Sequence, residues 1–282
     1  MKMNALDLIK NGTLALKENK ISSHRIDSEI LLSSVLGKSR EEILINLDKK
    51  INSRDIFSFK KLIERRSSKE PLAYILKEKE FWSKKFEVNE STLVPRPETE
   101  LMLEKLIKIY KDKKINILDI GTGSGCILIS LLSEFKNSIG VGIDISTEAL
   151  KIAKKNAKKH KINNKIFFYN KSFTEIYDRK FDLIVSNPPY LLTKDIRNLQ
   201  EDIKRFEPLI ALDGGNDGLD VIKKVIYKAK NILKFDGMLA LEIGNGQFRK
   251  VSNILFKNNF RIKYKLKDYK DNTRIIISIL NR

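Results

Sequence analysis

The sequence predicts an α/β fold: a mainly parallel sheet with helices on both faces, preceded by a small helical domain. Three observations carry this. From Ile115 onward, short apolar runs alternate with amphipathic helical stretches. The first of those runs ends in a glycine-dense loop, Asp119-Ile120-Gly121-Thr122-Gly123-Ser124-Gly125. Residues 1–70, by contrast, show only helical periodicity, and no glycine occurs between Gly37 and Gly121.

Taken in order, residues 3–17 place Leu6, Ile9, Leu14 and Leu16 on a helical pattern. Ser22 or Ser23 can cap a second helix through Ile26, Ile30, Leu31, Leu32 and Val35, with Gly37 as its stop. Ser39 with Glu42 three residues on has the form of a capping box before Ile43, Leu44 and Leu47. Ser53 opens a fourth helix through Ile56, Phe57, Phe59, Leu62 and Ile63. Pro71 breaks the pattern. Tyr74-Ile75-Leu76, Phe81-Trp82 and Phe86-Glu87-Val88 then suggest a short hairpin or extended linker, and Pro95-Arg96-Pro97 enforces extended backbone. A helix begins near Glu98. Strands are predicted at 115–120, 139–143, 166–169, 181–186, 238–243 and 274–280, with helices over 125–135, 147–160, 219–233 and 248–258. A polar turn at 268–272 would make the last strand antiparallel to its neighbour. The expected domains are 1–70 (helical, substrate-recognising), 71–97 (linker) and 98–282 (catalytic).

The 282 residues suffice for two domains. No apolar run approaches membrane-spanning length, and the start Met1-Lys2-Met3-Asn4 lacks the apolar core of an export signal. One cysteine excludes an internal disulfide and a cysteine-rich metal site, and two histidines, His24 and His160, lie far apart. No metal is expected, and the expected compartment is the cytoplasm. The net charge of +19 permits a nucleic-acid partner or an acidic protein partner. Lysines are spread through every segment and no basic run is interleaved with aromatics, which favours a compositional origin.

The glycine loop is G-x-G-x-G rather than the G-x-G-x-x-G of dinucleotide sites. A carboxylate at Asp119 would oppose a pyrophosphate but suits a ligand carrying an ammonium group. Asp144, ending the second strand, can accept hydrogen bonds from both hydroxyls of a ribose. Together these point to S-adenosylmethionine, which leaves as S-adenosylhomocysteine. The alternative is that the glycines only make a tight turn and Asp144 only caps the next helix.

Asn187-Pro188-Pro189-Tyr190 follows the apolar run 181–186. A planar amide or aromatic amine is a poor nucleophile because its lone pair is delocalised. Two acceptors set out of its plane, the Asn187 side-chain carbonyl and the Pro188 backbone carbonyl, orient the nitrogen and favour tetrahedral geometry. Pro188 and Pro189 stiffen the loop and remove competing N–H groups. Tyr190 offers a flat face for stacking. In-line transfer of a methyl group then depends chiefly on positioning.

The chain resembles the HemK/PrmC-type release-factor glutamine methyltransferases nearly end to end. Arg25-Ile26-Asp27-Ser28-Glu29-Ile30-Leu31-Leu32, Glu80-Phe81-Trp82 and Pro95-Arg96-Pro97-Glu98-Thr99-Glu100 look like that family's early motifs. The glycine loop, Asp144 and the tetrapeptide follow in the family's order. Arg205-Phe206-Glu207-Pro208 and the run Leu212-Asp213-Gly214-Gly215-Asn216-Asp217-Gly218-Leu219-Asp220 look like its later ones. The tetrapeptide alone is shared with methyltransferases of adenine and guanine amines. The resemblance implies a Rossmann-like, seven-stranded methyltransferase sheet with its last strand antiparallel. It implies transfer to N5 of the glutamine in the Gly-Gly-Gln motif of peptide chain release factors, supporting translation termination. It also implies that the helical domain grips the release factor, with a monomer expected and no requirement for direct nucleic-acid binding. Cofactor contacts are expected at Gly121, Thr122, Gly123, Ser124, Gly125, Asp144, Ser172 and Asn187. Asn187, Pro188 and Tyr190 are the expected catalytic residues, with Pro189 added for substrate binding.

One stretch departs from the family pattern. Where relatives carry an acid and then Leu or Trp before Phe, this chain has Lys171, Ser172 and Phe173. Ser172 could meet an adenine only through its backbone, and Asn170 could replace the acid only by a one-residue slip. A degraded, non-catalytic cofactor site is the reading this departure favours, and a nucleic-acid amine methyltransferase is the reading the charge favours. Cys126 is read as a small apolar packing residue, Trp82 as a hairpin core residue and Glu98 as a helix-start carboxylate. Asp213, Asp217 and Asp220 are read as turn and helix-start residues.

Overall fold

A computed structural model describes residues 3–176 and 180–281. Met1 and Lys2, the start of the segment without an export-signal pattern, lie outside the described residues. The chain forms two compact units: one of residues 3–77 and 200–206, the other of residues 78–199 and 207–281.

The first unit is a helical bundle: α1 (Ala5–Glu18), α2 (His24–Leu36), α3 (Arg40–Ile45), α4 (Ser53–Ser67) and the short α5 (Leu72–Leu76). Its ends are set by capping chemistry. Asn4 with Asp7 and Ser39 with Glu42 form reciprocal capping boxes, and Gly37 ends α2 in the left-handed region at φ 61°. Leu8, Leu16, Leu31, Leu32 and Phe59 fill the core. The Arg25–Leu32 motif supplies its polar interior. Asp27 accepts from Arg66 Nε at 2.8 Å and from Ser23 Oγ at 2.7 Å. Glu29 pairs with Arg25 and Arg40. Ser28 Oγ donates to the Ile9 carbonyl at 3.1 Å beside Gly12, where any side chain would collide with that hydroxyl. Tyr74-Ile75-Leu76, expected in extended structure, lies in α5: Tyr74 and Ile75 are buried three and four residues after buried Pro71, and only the residues after Lys77 extend.

The second unit opens with a hairpin, β1 (Glu78–Phe81) and β2 (Lys84–Glu87). Its two-residue turn is Trp82-Ser83, both at positive φ near 50°, matching the twist of the strands. Then follow α6 (Glu100–Tyr110), β3 (Asn116–Ile120), α7 (Cys126–Glu134), β4 (Ile139–Asp144), α8 (Thr147–Lys159), β5 (Ile166–Asn170) and β6 (Phe181–Ser186). After α9 (Glu201–Phe206), which belongs to the first unit, come α10 (Asp220–Ile232), β7 (Leu233–Glu242), α11 (Phe248–Lys257), β8 (Phe260–Lys267) and β9 (Thr273–Leu280).

Seven of these strands form one sheet in the order β5-β4-β3-β6-β7-β9-β8. Only β9 runs against the rest, pairing antiparallel with β7 and with β8 across the turn at 268–272. This is the expected seven-stranded sheet, and β8 is the strand that the apolar runs alone do not mark. Residues 260–267 alternate apolar residues with Arg261, Lys263, Lys265 and Lys267, the period-2 pattern of a half-exposed edge strand and not the near-continuous apolar run of the interior strands. Both sheet faces are covered. Ile117, Val185, Ala240 and Ile277 pack with α6 and α7, while Leu118, Ile184, Leu241 and Ile276 pack with α10 and α11. Burial on both faces explains the near-continuous apolar strands. It also places every parallel strand's C-terminal end on one edge, where ligands of such sheets bind.

Candidate active site

A cavity of about 670 Å³ opens at that edge. Its walls come from the glycine loop, the ends of β4 and β5, Asn187-Pro188-Pro189, residues 91–96 and the segment 208–215.

The glycine loop does two different jobs. Gly121 and Gly123 have φ of 72° and 54°, and a Cβ on either would point into open space, so their backbone is bare toward the cavity. Gly125, at φ 80°, is packed instead: its Cβ would meet Ile129 Cδ1 at 2.9 Å. The loop is tied to β4 by the Gly121 and Thr122 amides, which donate to the Ile143 carbonyl at 3.0 and 2.9 Å. Asp144 completes the tie. Its Oδ2 accepts from the Gly123 amide and its Oδ1 from the Ser146 amide, each at 2.9 Å. Each carboxylate oxygen keeps further lone pairs for a ligand. Burial raises the Asp144 pKa, opposed by those amides.

Asp119 is fully buried behind the loop. Its Oδ2 accepts from Thr122 Oγ1 at 2.8 Å, while Oδ1 has no hydrogen-bond partner among the described residues. Desolvation pushes its pKa up to about 7, and the nearby charge of Asp144 adds to this. A buried carboxylate left half-satisfied beside bare glycine backbone fits a cationic ligand head. Cys126 lines the cavity, and burial pushes its thiol up to about 12, which leaves it a packing residue.

Lys171, Ser172, Phe173 and Thr174 also line the cavity. Ser172 is occupied locally: its amide donates to Glu175 Oε2 at 2.7 Å and its Oγ accepts from the Thr174 amide at 3.3 Å. Asn170 is a staple, its Nδ2 donating to the carbonyls of Asp144 and Ile145, both at 3.0 Å. Asn170 is absent from the cavity wall, and its amide group serves its own chain.

At the end of β6, Ser186 Oγ donates to the Ile120 carbonyl at 2.8 Å and locks that strand to the glycine loop. Asn187, Pro188 and Pro189 face the cavity. Neither the Asn187 side chain nor the Pro188 carbonyl has a hydrogen-bond partner among the described residues, so both acceptors are open to a substrate. Tyr190 stands apart from them. It is absent from the cavity wall and packs inward, its hydroxyl donating to Glu242 Oε1 at 3.3 Å and accepting from Arg274 Nη2 at 3.0 Å. The segment 208–215 backs the loop: Leu191 exchanges backbone bonds with Leu212 and Gly214. A Cβ on Gly214 would meet the Pro189 carbonyl and Tyr190 Cα, both at 2.8 Å. Asp213, Asp217 and Asp220 make turn and helix-start contacts: Asp213 Oδ1 accepts from the Gly215 amide, Asp217 Oδ1 from the Leu219 amide, and Asp220 pairs with Lys223.

Several residues around the site carried no role in the sequence reading. Asn156 is fully buried and holds three backbone groups, accepting from the Glu87 amide and donating to the carbonyls of Glu87 and Ser124. Glu207 accepts from Arg96 Nη2 at 2.7 Å and from the Val94 amide at 3.3 Å. Gln247 ties Gly244, Tyr190 and Gly218 together. Glu207 belongs to the motif 205–208, and Glu242 is a lone charge inside the apolar run 238–243; Asn156 and Gln247 carry no such signal. Neither histidine lines the cavity.

Known proteins resemble this chain in both of its domains. Residues 7–76 match the PrmC N-terminal domain and residues 97–204 the Methyltransferase small domain. The chain is 38% identical over 276 residues to a Release factor glutamine methyltransferase of Buchnera aphidicola subsp. Baizongia pistaciae, covering 98% of this chain and 99% of that one. It is 35% identical over 303 residues to a Bifunctional methyltransferase of Rickettsia conorii, covering 98% of this chain and 58% of that longer protein. A methyltransferase structure from Pyrococcus furiosus shares the fold, with TM-score 0.54 and 18% identity over 72% of this chain and 91% of that one. Full-length similarity at this identity, carried by both domains, makes the chain a member of the release factor glutamine methyltransferase family.

Proposed function

We propose that the protein transfers a methyl group from S-adenosylmethionine to the side-chain amide nitrogen of the glutamine in the Gly-Gly-Gln motif of peptide chain release factors, in the cytoplasm and as a monomer. The observation that carries it is the pair of unengaged acceptors, the Asn187 side chain and the Pro188 carbonyl, set beside an open glycine loop at the sheet edge. S-adenosylmethionine, when bound, supplies a sulfonium-activated methyl group. Gly121, Thr122, Gly123, Ser124 and Gly125 would cradle its amino-acid portion, with Asp119 as counter-charge. Asp144 would receive its ribose hydroxyls, and Lys171 to Thr174 would border its base.

On the substrate side, the carboxamide's two N–H bonds point at Asn187 and Pro188. This fixes the direction of the nitrogen lone pair. Pro189 and the exposed Leu209 and Ile210 form an apolar lip around the entrance, lowering the local dielectric and strengthening those two hydrogen bonds. The nitrogen loses a proton to water as the N–C bond forms, so no buried base is needed. The helical domain, expected over residues 1–70, serves recognition of the release factor.

The test separates donor binding from transfer. Asn187→Ala is expected to lose about 10²–10³-fold in turnover on release factor at saturating S-adenosylmethionine, a loss far larger than the change in donor affinity read by calorimetry. Wild-type turnover in that variant removes the role given to Asn187.

A further inference from the structure

Tyr190 closes the tetrapeptide but does not face the cavity, and the groups around it have no chemical partner in the transfer. Glu242 is fully buried at the end of β7. Its Oε2 accepts from Thr99 Oγ1 at 2.5 Å and its Oε1 from the Tyr190 hydroxyl at 3.3 Å. Arg274, at the start of β9, lies 3.8 Å from Glu242 Oε1, donates to the Tyr190 hydroxyl and stands 5.4 Å from the centre of the Tyr190 ring. Topology explains the meeting. Because β9 is the reversed strand, its first residues lie at the edge where the parallel strands end, and Ile275 pairs with Glu242.

A desolvated ion pair is a costly way to hold a loop, and well-packed apolar residues would be cheaper. What the charges add is direction. Tyr190 is gripped at its hydroxyl by Glu242 and Arg274, and at its carbonyl by Gln247 Nε2 at 2.9 Å. Its ring lies against Gly244, where a Cβ would come within 3.1 Å of it. Ser186 is pinned on the other side of the loop. Between these anchors lie Asn187 and two prolines of fixed φ, so the orientation of the anchors is passed to the two acceptors.

We infer that Thr99, Glu242 and Arg274 are positioning residues for the transfer, holding Tyr190 so that the Asn187 and Pro188 acceptors meet the substrate amide in line. This rests on the role proposed above for Asn187 and Pro188. Tyr190 is then the anchor of the loop rather than a stacking surface for substrate.

The test uses the full-length protein with Tyr190→Phe, Glu242→Gln and Arg274→Lys, reading S-adenosylmethionine affinity, KM for release factor, kcat and Tm. Each variant is expected to lose about 10- to 100-fold in kcat, with donor affinity and KM within about twofold of wild type. The double variant Tyr190→Phe/Arg274→Lys is expected to be no slower than the slower single variant, since both act through one hydroxyl. Lowered Tm with wild-type kcat, or losses that multiply in the double variant, overturns the inference. If Glu242→Gln does not fold, Tyr190→Phe and Arg274→Lys, which leave the Thr99–Glu242 bond intact, decide it. Asn187→Ala keeps the two claims apart. Full turnover there removes the reading of the tetrapeptide, whereas a dead Asn187→Ala beside unimpaired Tyr190→Phe and Arg274→Lys removes only the positioning role.

Discussion

Asp119 shows how one residue can tie donor binding to pH. Its carboxyl is buried and half-satisfied, with a pKa near 7 against an ordinary value of 3.8. Between those two values the folded protein holds a proton that the unfolded chain has released, so the free protein loses stability as pH rises from about 4 to 7. A ligand ammonium favours the ionised form and draws the pKa back down. Binding of S-adenosylmethionine is therefore expected to tighten from pH 6 to 8 and to release a proton near pH 7. Calorimetry in buffers of differing ionisation heat measures that proton, and Asp119→Asn is expected to abolish the pH dependence. A pH-independent affinity in the wild type would remove Asp119 from the donor site. Asp119, Asp144 and Asn187 could be found in the sequence because each ends a strand beside a short, rigid motif. The partners of Tyr190 could not. Glu242 and Arg274 are distant from it and from each other along the chain, and only the reversal of β9 brings them together.

The elements of the sheet unit were mostly legible because doubly buried strands are apolar and the intervening helices are amphipathic. Failures fell where that rule does not hold. Edge strand β8 alternates cations with half-buried Ile262, Tyr264 and Leu266 and bulges after Ile262, so its signal is the period-2 alternation of a half-exposed strand and not an apolar run. The five residues of α5 are too few to show a period. Contacts between elements were hidden as well, since a single asparagine in a lysine-rich helix gives no hint of its task. Asn156 of α8 bonds the hairpin at Glu87 and the glycine loop at Ser124 at once. Asn156→Ala removes the side-chain partner of three backbone groups, two part-buried and one buried, and is expected to destabilise the second unit by about 2–4 kcal/mol in urea unfolding. The same change is expected to weaken donor binding by loosening the loop. A loss below about 0.5 kcal/mol would show that the staple is dispensable.

At the scale of the whole molecule, each unit has its own core and its own buried polar pairs. In the helical unit, Asp27→Ala takes the carboxylate away from buried Arg66, leaving its Nη1 bond to the Glu70 carbonyl, and is expected to cost about 3–5 kcal/mol. That loss should appear as a lower unfolding midpoint, with a raised KM for release factor and unchanged donor affinity. Unchanged KM would separate the helical unit from substrate recognition. No helix among the described residues is long and apolar enough to cross a membrane. The net charge of +19 is distributed through both units, and a nucleic-acid substrate would make methyl transfer fall steeply with salt. The central claim is tested most directly by incubating the protein with methyl-labelled S-adenosylmethionine, purified release factors and total RNA together. The release factor is then digested and the modified atom located by fragment mass spectrometry. One methyl group on the side-chain nitrogen of the Gly-Gly-Gln glutamine, lost when that glutamine is replaced by glutamate, is the predicted result. Label on RNA with an unmodified Gly-Gly-Gln peptide would contradict it.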